Sequence, residues 1–382
     1  MEVGMELYIV KKLLLLIVLI AAAYITKPLW IEQVEASSLG SIMDKFQKFK
    51  ERDDVQGAID GLDQGMQSLL TKLDDLKESK DKEPKESQAE KPALTTPSSD
   101  TFSVHNIELG AGKKEVEKQA GDAQRHSMNE YGVEWFAYHD HYQNFFMASY
   151  DDNGKVNGLY TNQDLIASTT GIKIGASKED VRNEMGKPLE HIRKGMTLFQ
   201  LQTDGEHDVF EVDDSYVTIF YDKHENNTVT AIQVIDSGLE NEKKDYYTKA
   251  SASMKEGFEY QLFDLTNAIR VRMGESVLTW DDHVRETARK HSDDMAENNY
   301  FSHTNLDGES PFDRMADDQV AFRTAGENLA YGQLSSIFAH EGLMNSMGHR
   351  ENILQSHYEY LGVGVSFNEK AQPYYTENFF SE

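Results

Sequence analysis

One pattern restricts this chain more than any other. The segment Ile107-Glu108-Leu109-Gly110-Ala111 returns 65 residues later as Ile172-Lys173-Ile174-Gly175-Ala176, and at the same offset Val116 returns as Val181 and Gly121 as Gly186. A fixed offset held over that many positions marks an internal duplication, which folds as two like units. Each unit reads as a short strand, a turn at the glycine, a charged amphipathic helix and a second glycine that ends it. Strands follow. Phe145 to Tyr150 stops at Asp151-Asp152-Asn153-Gly154, a hairpin-type turn, and in the second unit Tyr216 to Tyr221 precedes Thr228 to Ile235. Their alternation predicts half-buried antiparallel strands. Residues 102–240 are therefore expected to form a duplicated small α+β domain. It offers little chemistry: His139, Asp140 and His141, and the pair Asp213-Asp214, read as solvated charge, and Tyr131, Trp135, Phe136 and Tyr138 read as core.

Ahead of the duplication the chain carries an export-type segment. Lys11-Lys12 precedes the apolar run Leu13 to Ile25, and Lys27 closes it. A spanning helix needs about 20 apolar residues; the flanks Tyr8 to Val10 and Pro28 to Ile31 lengthen this run. The segment is either a retained signal anchor (residues 1–31) with the lysines inside, or a signal peptide cleaved near Ala21-Ala22-Ala23. The first gives a single-pass membrane protein and the second a secreted one. Both place the body of the chain outside the cytoplasm.

Residues 32–101 are expected to hold a helical stalk and a disordered linker. Val55, Ile59, Leu62, Met66, Leu69, Leu73 and Leu76 step by four and three in alternation, a heptad seam. The seam is either a self-associating stalk, which would make a homo-oligomer, or an amphipathic helix folded back on its own chain or the membrane. Gly57, Gly61 and Gly65 each weaken it by about 1 kcal/mol relative to alanine. From Glu78 to Asp100 the composition turns to Lys, Glu, Ser, Thr and Pro with no apolar period, the signature of an extended solvated linker.

Composition then excludes several functions. With 66 acidic against 38 basic residues the formal charge is −28, so the surface repels nucleic acid. Cysteine is absent, which removes disulfides, thiolate metal sites and a cysteine nucleophile.

The C-terminal third, residues 256–382, is where chemistry gathers. Phe258, Leu262, Leu265 and Ile269 have helical spacing, as do Val284, Ala288, His291 and Met295 behind a cap at Thr279. Ser310-Pro311 opens a third helix and His340 to Ser346 lies in a fourth. Alternating strands close the chain, Leu361 to Phe367 and Tyr374 to Phe380.

The ordered motifs in this region are Phe301-Ser302-His303, Ala325-Gly326-Glu327-Asn328-Leu329-Ala330-Tyr331-Gly332, His340 to Leu354, Leu361 to Val365 and Tyr374 to Phe380. Together they resemble the bacterial branch of the CAP superfamily, the group of cysteine-rich secretory, antigen-five and pathogenesis-related proteins. The anchor and the duplicated region ahead of it resemble members that carry an N-terminal CAP-associated domain. The resemblance implies a C-terminal α-β-α sandwich, so the chain is expected to be α+β throughout, with a membrane helix and stalk in front. It also implies a cleft lined by two histidines and two glutamates, carried here by His303, Glu327, Glu341 and His349.

Two imidazoles and two carboxylates suit zinc or another divalent cation, and Glu341 is the candidate catalytic base for a metal-bound water. The same four can equally be a hydrogen-bonded network packing the cleft. Asn328 is expected to fix backbone. The eight-residue spacing of Glu341 and His349 requires the helix to break between them, with Gly348 as the expected turning residue. Leu343, Met347, Tyr375, Glu377 and Phe380 depart from the family pattern. His340-Glu341 lacks the second histidine of a zincin helix, and no Gly-x-Ser-x-Gly elbow occurs. The function expected is a membrane-anchored envelope protein that binds a ligand or protein; the alternative is a metal-dependent hydrolase acting on peptide, wall polymer or lipid.

Overall fold

The computed structural model describes residues 89–382. The apolar run, the heptad seam and the first part of the linker lie outside the described residues. Those described belong to one compact unit, Lys85–Glu382.

The duplication is explicit in the backbone. The first unit runs β1 (Phe102–Val104), α1 (Lys113–Ala120), β2 (Arg125–Met128), β3 (Glu134–Asp140), β4 (Gln143–Tyr150) and β5 (Val156–Thr161). The second runs β6 (Ile166–Ser168), α2 (Lys178–Met185), the hairpin β7 (His191–Lys194) and β8 (Thr197–Gln200), β9 (His207–Val212), β10 (Ser215–Asp222) and β11 (Thr228–Asp236). Gly110 and Gly175 hold φ of 77° and 82°, a left-handed geometry that favours glycine, and their N–H groups donate to Val156 and Val229 carbonyls at 2.8 and 2.9 Å. Val116 and Val181 are fully buried at the same place in each helix.

The two units share one seven-stranded sheet of order β2-β3-β4-β5-β11-β10-β9. Equivalent strands meet antiparallel at its centre, β5 with β11, and again at β1 with β6. That pairing is what a local two-fold axis between the copies produces.

Local details refine the expectations. Asp213-Asp214 is the two-residue tip of the β9–β10 hairpin, with φ of 52° and 55°, a type I′ turn, and His141-Tyr142 plays the same part between β3 and β4. The linker reading is corrected at its end, because residues 89–100 run along the first unit. The Glu108 carboxylate accepts from the N–H groups of Ser98, Ser99 and Asp100 at 2.7 to 3.0 Å, and Asn106 Oδ1 accepts from Thr95 N–H at 2.8 Å.

A short helix α3 (Ser237–Glu242) leads to the C-terminal half. That half contains α4 (Ala252–Met273), β12 (Thr279–Trp280), α5 (Asp282–Asn298), α6 (Pro311–Asp317), β13 (Thr324–Tyr331), α7 (Ser336–Met344), α8 (Met347–Ile353), β14 (Tyr360–Phe367) and β15 (Pro373–Ser381). Its sheet has the order β12-β14-β15-β13. Leu361, Val363 and Val365 face α4 in the core, while Gly362 and Gly364 on the opposite side of β14 lie against α5. The result is an α-β-α sandwich.

Ser310 opens α6 with a complete capping box, as its sequence indicates. The cap of α5 is Asp281, whose side chain accepts from Val284 N–H at 2.7 Å, and not Thr279, which pairs with Tyr360 in the sheet. The helix expected to turn at Gly348 breaks earlier, at Asn345-Ser346, and Gly348 lies within α8.

One face of the seven-stranded sheet packs on the sandwich. Trp135, Phe145, Met147, Tyr160, Phe220 and Ile235 share a core with Leu265 and Ala268 of α4 and Ile337 of α7. Gly257 of α4 permits the closest approach: a Cβ there would meet the Met128 carbonyl oxygen at 2.1 Å.

Candidate functional site

Three of the four expected cleft residues gather. His303 lies on the loop after α5, half exposed, with its carbonyl held by the Arg314 guanidinium at 2.8 Å and that of Ser302 by the His291 ring at 2.9 Å. Glu327 lies on β13 and not on a loop, and its side chain is 1% exposed. One Glu327 oxygen meets His303 Nδ1 at 2.8 Å and the other accepts from Arg314 at 2.6 Å. His349, on the first turns of α8, is hydrogen-bonded through Nδ1 to the Ser346 hydroxyl at 2.8 Å. Burial and the nearby charge of His303 hold the His349 imidazole down at about 4, so it is neutral near pH 7.

Beneath these residues lies a fixed polar layer. Asn328, fully buried, donates to the His349 carbonyl at 3.1 Å and to the Glu377 carboxylate at 3.0 Å. Asn352 donates to Asn328 Oδ1 at 3.0 Å, which orients its amide. Glu377 also accepts from Thr266 at 3.0 Å, and burial pushes its carboxyl up to about 7. Asn328 thus ties β13 to α8, the backbone role expected of it. Phe301 and Tyr331, both more than a third exposed, pair at 5.8 Å on the loop side.

Glu341 is not brought to this group. Its carboxylate lies under the seven-stranded sheet, 4% exposed, and accepts from the Tyr160 hydroxyl of β5 at 2.7 Å. Burial raises it to about 7 despite that bond and the nearby Arg272 cation. Among the described residues no group of three or more His, Asp or Glu side chains is placed to hold a metal ion. The donor chemistry agrees, since Glu327 already serves an arginine and a histidine. The four-residue set therefore does not fit a zinc site as arranged. Sequence reasoning missed Arg314 and Tyr160. Arg314 gives no motif signal, and Tyr160 belongs to the other half of the chain.

An α-β-α sandwich docked on a duplicated α+β domain is the architecture of CAP-domain proteins that carry a CAP-associated N-terminal domain. Residues 109–246 match the CAP-associated N-terminal family and residues 263–379 the cysteine-rich secretory protein family. The membrane protein YlbC of Bacillus subtilis (strain 168) is 31% identical over 326 residues, 79% of this chain and 90% of that one. The crystal structure of an extracellular protein containing an SCP domain from Bacillus anthracis str. Ames superposes with a TM-score of 0.63 at 28% identity, covering 77% of this chain and 99% of that one. A cysteine-rich secretory protein from Staphylococcus aureus subsp. aureus Mu50 shares the fold, with a TM-score of 0.59 at 16% identity over 75% of this chain and 95% of its own. The chain belongs to the cysteine-rich secretory protein family, in the branch with a CAP-associated N-terminal domain.

Proposed function

We propose that the chain is a membrane-anchored, extracytoplasmic CAP-domain protein that acts as a binding module at the cell envelope, with His303, Glu327 and His349 as its ligand surface. The observation that carries this reading is the state of the two carboxylates. Glu327 spends both oxygens on His303 and Arg314, and Glu341 is enclosed with Tyr160. The surface offers imidazole and aromatic contacts, and neither of these two carboxylates is free to act as the base for a metal-bound water. The anchor is supported by the apolar run Leu13 to Ile25 and by the likeness to a membrane protein and to an extracellular one. Among the described residues no helix is long and apolar enough to cross a membrane. The heptad seam from Val55 to Leu76 suits a stalk that would carry the two domains away from the membrane.

The test is a calorimetric titration of the full-length chain with zinc, alongside a screen of peptide, wall-polymer and lipid substrates with and without chelator. The expected result is no stoichiometric zinc binding and no chelator-sensitive turnover. A turnover that chelator abolishes and that Glu341→Gln also removes would reject the binding reading in favour of a metal-dependent hydrolase.

A further inference from the structure

Residues 89–100 cross the first unit as a strap that side chains hold in place. Gln143 Oε1 accepts from Ala89 N–H at 2.8 Å, the Asn144 amide donates to the Glu90 carbonyl at 3.0 Å, and Lys91 pairs with Asp164. Asn106 grips the middle, donating to the Ala93 carbonyl at 2.9 Å and accepting from Thr95 N–H at 2.8 Å. Glu108 grips the end through the N–H groups of Ser98, Ser99 and Asp100. Among the described residues, none of the strap's own amides or carbonyls pairs with another main-chain group. Pro97 alone of its twelve residues is buried. Behind Ala89 to Ala93 lies a cavity of about 430 Å³, walled on the far side by His105, Tyr138, His139 and Phe146. A segment with so few buried apolar groups, and with room for water behind it, belongs to the low-stability end of a fold.

The duplication supplies an internal comparison. At the offset of 65 residues, Asn106 corresponds to Gly171 and Glu108 to Lys173. Both turns are left-handed, with φ of 61° at Asn106 and 81° at Gly171, and the neighbouring Ile107 and Ile172 are both buried. What differs is the pair of side chains that grips the strap, and Lys173 stands exposed. The fold of a unit therefore does not need Asn106 and Glu108, whereas holding the strap does.

The strap is also the point where the stalk and linker enter the body. Docked, it ends the path from the apolar run Leu13 to Ile25 at Ala89. Freed, that path runs on to Thr101, whose N–H donates to Asp213 Oδ2 at 2.6 Å just ahead of β1. Twelve residues add up to about 40 Å of extended chain. We infer that residues 89–100 are a releasable strap, held by Asn106 and Glu108, that gives the body two working distances from the membrane. The two distances rest on the anchor in the function proposed above; the release does not.

The full-length chain has no cysteine, so Ala93→Cys and Glu179→Cys place two spin labels at exposed sites on the strap and on α2. The otherwise native chain should show a narrow distance between them. Asn106→Gly with Glu108→Lys, which installs the second unit's own residues, should replace it with a broad one. In native-state hydrogen exchange, the amides of Ser98, Ser99 and Asp100 should open at a rate indifferent to low urea, and about a hundredfold or more faster in the double variant. Reach is read by energy transfer from a dye at Glu179→Cys to a rhodamine-headgroup lipid in phosphatidylcholine vesicles carrying the full-length chain; transfer should fall in the double variant. A narrow distance that survives the double substitution, or strap amides that open only with the urea dependence of the β4 amides, would overturn the strap. If the double variant does not fold, that urea dependence in the native chain decides. Equal transfer from both forms on vesicles would overturn the two distances and leave the anchor standing. A chain that floats with vesicles in neither form would reject the anchor, and the two distances with it.

Discussion

Glu341 shows how a residue can satisfy a motif and still serve another end. Its position opposite Tyr160 depends on a contact 181 residues away in sequence, between two domains. No spacing rule within the CAP motifs reports such a contact. His303, Glu327 and His349 were legible because each sits in a short motif that fixes its backbone locally; the arginine that completes their cluster was not, because Arg314 emerges from an ordinary short helix. The burial of Glu341 has a pH consequence. Its folded value of about 7 stands above the ordinary 4.5, so the folded chain favours the protonated carboxyl. The stabilisation is complete below 4.5 and is lost as pH rises through 7. Glu341→Gln removes this dependence. Relative to the parent, the variant should gain on the order of 3 kcal/mol between about pH 5 and 8. Urea denaturation of both proteins at the two pH values measures it, and parallel stabilities would mean that the carboxylate stays ionised beside Arg272.

At the level of elements, the Leu361 to Val365 motif acquires a packing explanation. A Cβ at Gly364 would meet the Ala288 carbonyl carbon and the Arg289 nitrogen at 2.2 Å, and one at Gly362 would meet the Arg285 nitrogen at 2.3 Å. Those are backbone atoms of α5 and cannot swing aside. Gly364→Ala should therefore cost at least the 1–3 kcal/mol or so of an overpacked core. Gly342 in α7 is the control, since a Cβ added there would meet nothing within 4 Å; Gly342→Ala should stabilise by about 0.5–1 kcal/mol. Equal midpoints for the two variants in urea would show that α5 does not need the glycines. The duplicated helices, the capping box of α6 and the closing strands were legible because each is written in local sequence. Strand β13 was not. It contains Gly326 and Asn328, both poor strand formers, and its hydrogen bonds go to β15, some fifty positions on. The hairpin β7–β8 was also missed, since Ile192 is the one buried residue in its two strands and gives no alternation to read.

At the scale of the whole molecule, the two halves are fastened by charge as well as by core. Asp264 of α4 is fully buried between the Arg125 guanidinium at 3.0 Å and the Tyr142 hydroxyl at 2.9 Å, both from the duplicated domain. Arg272 donates to the carbonyls of Asn162 and Thr230 at 2.7 and 2.8 Å, and Arg350 of α8 reaches Asp222 at 2.7 Å. Parting the halves would strand these charges on apolar surfaces shaped for Trp135, Phe145 and Leu265, and removing one partner of a buried pair costs about 3–5 kcal/mol. Each half's own stability is of the same order as what the interface contributes, so neither should persist once the other unfolds. The two tryptophans among the described residues make this measurable, because Trp135 lies in the shared core and Trp280 in the outer sandwich against Phe263. With Trp30 replaced by Phe throughout, variants keeping only Trp135 or only Trp280 should give coincident urea midpoints, matched by far-ultraviolet circular dichroism. Separate midpoints would show that the CAP sandwich holds its fold alone, and the buried ion pairs between the halves would then contribute little to holding the two domains together.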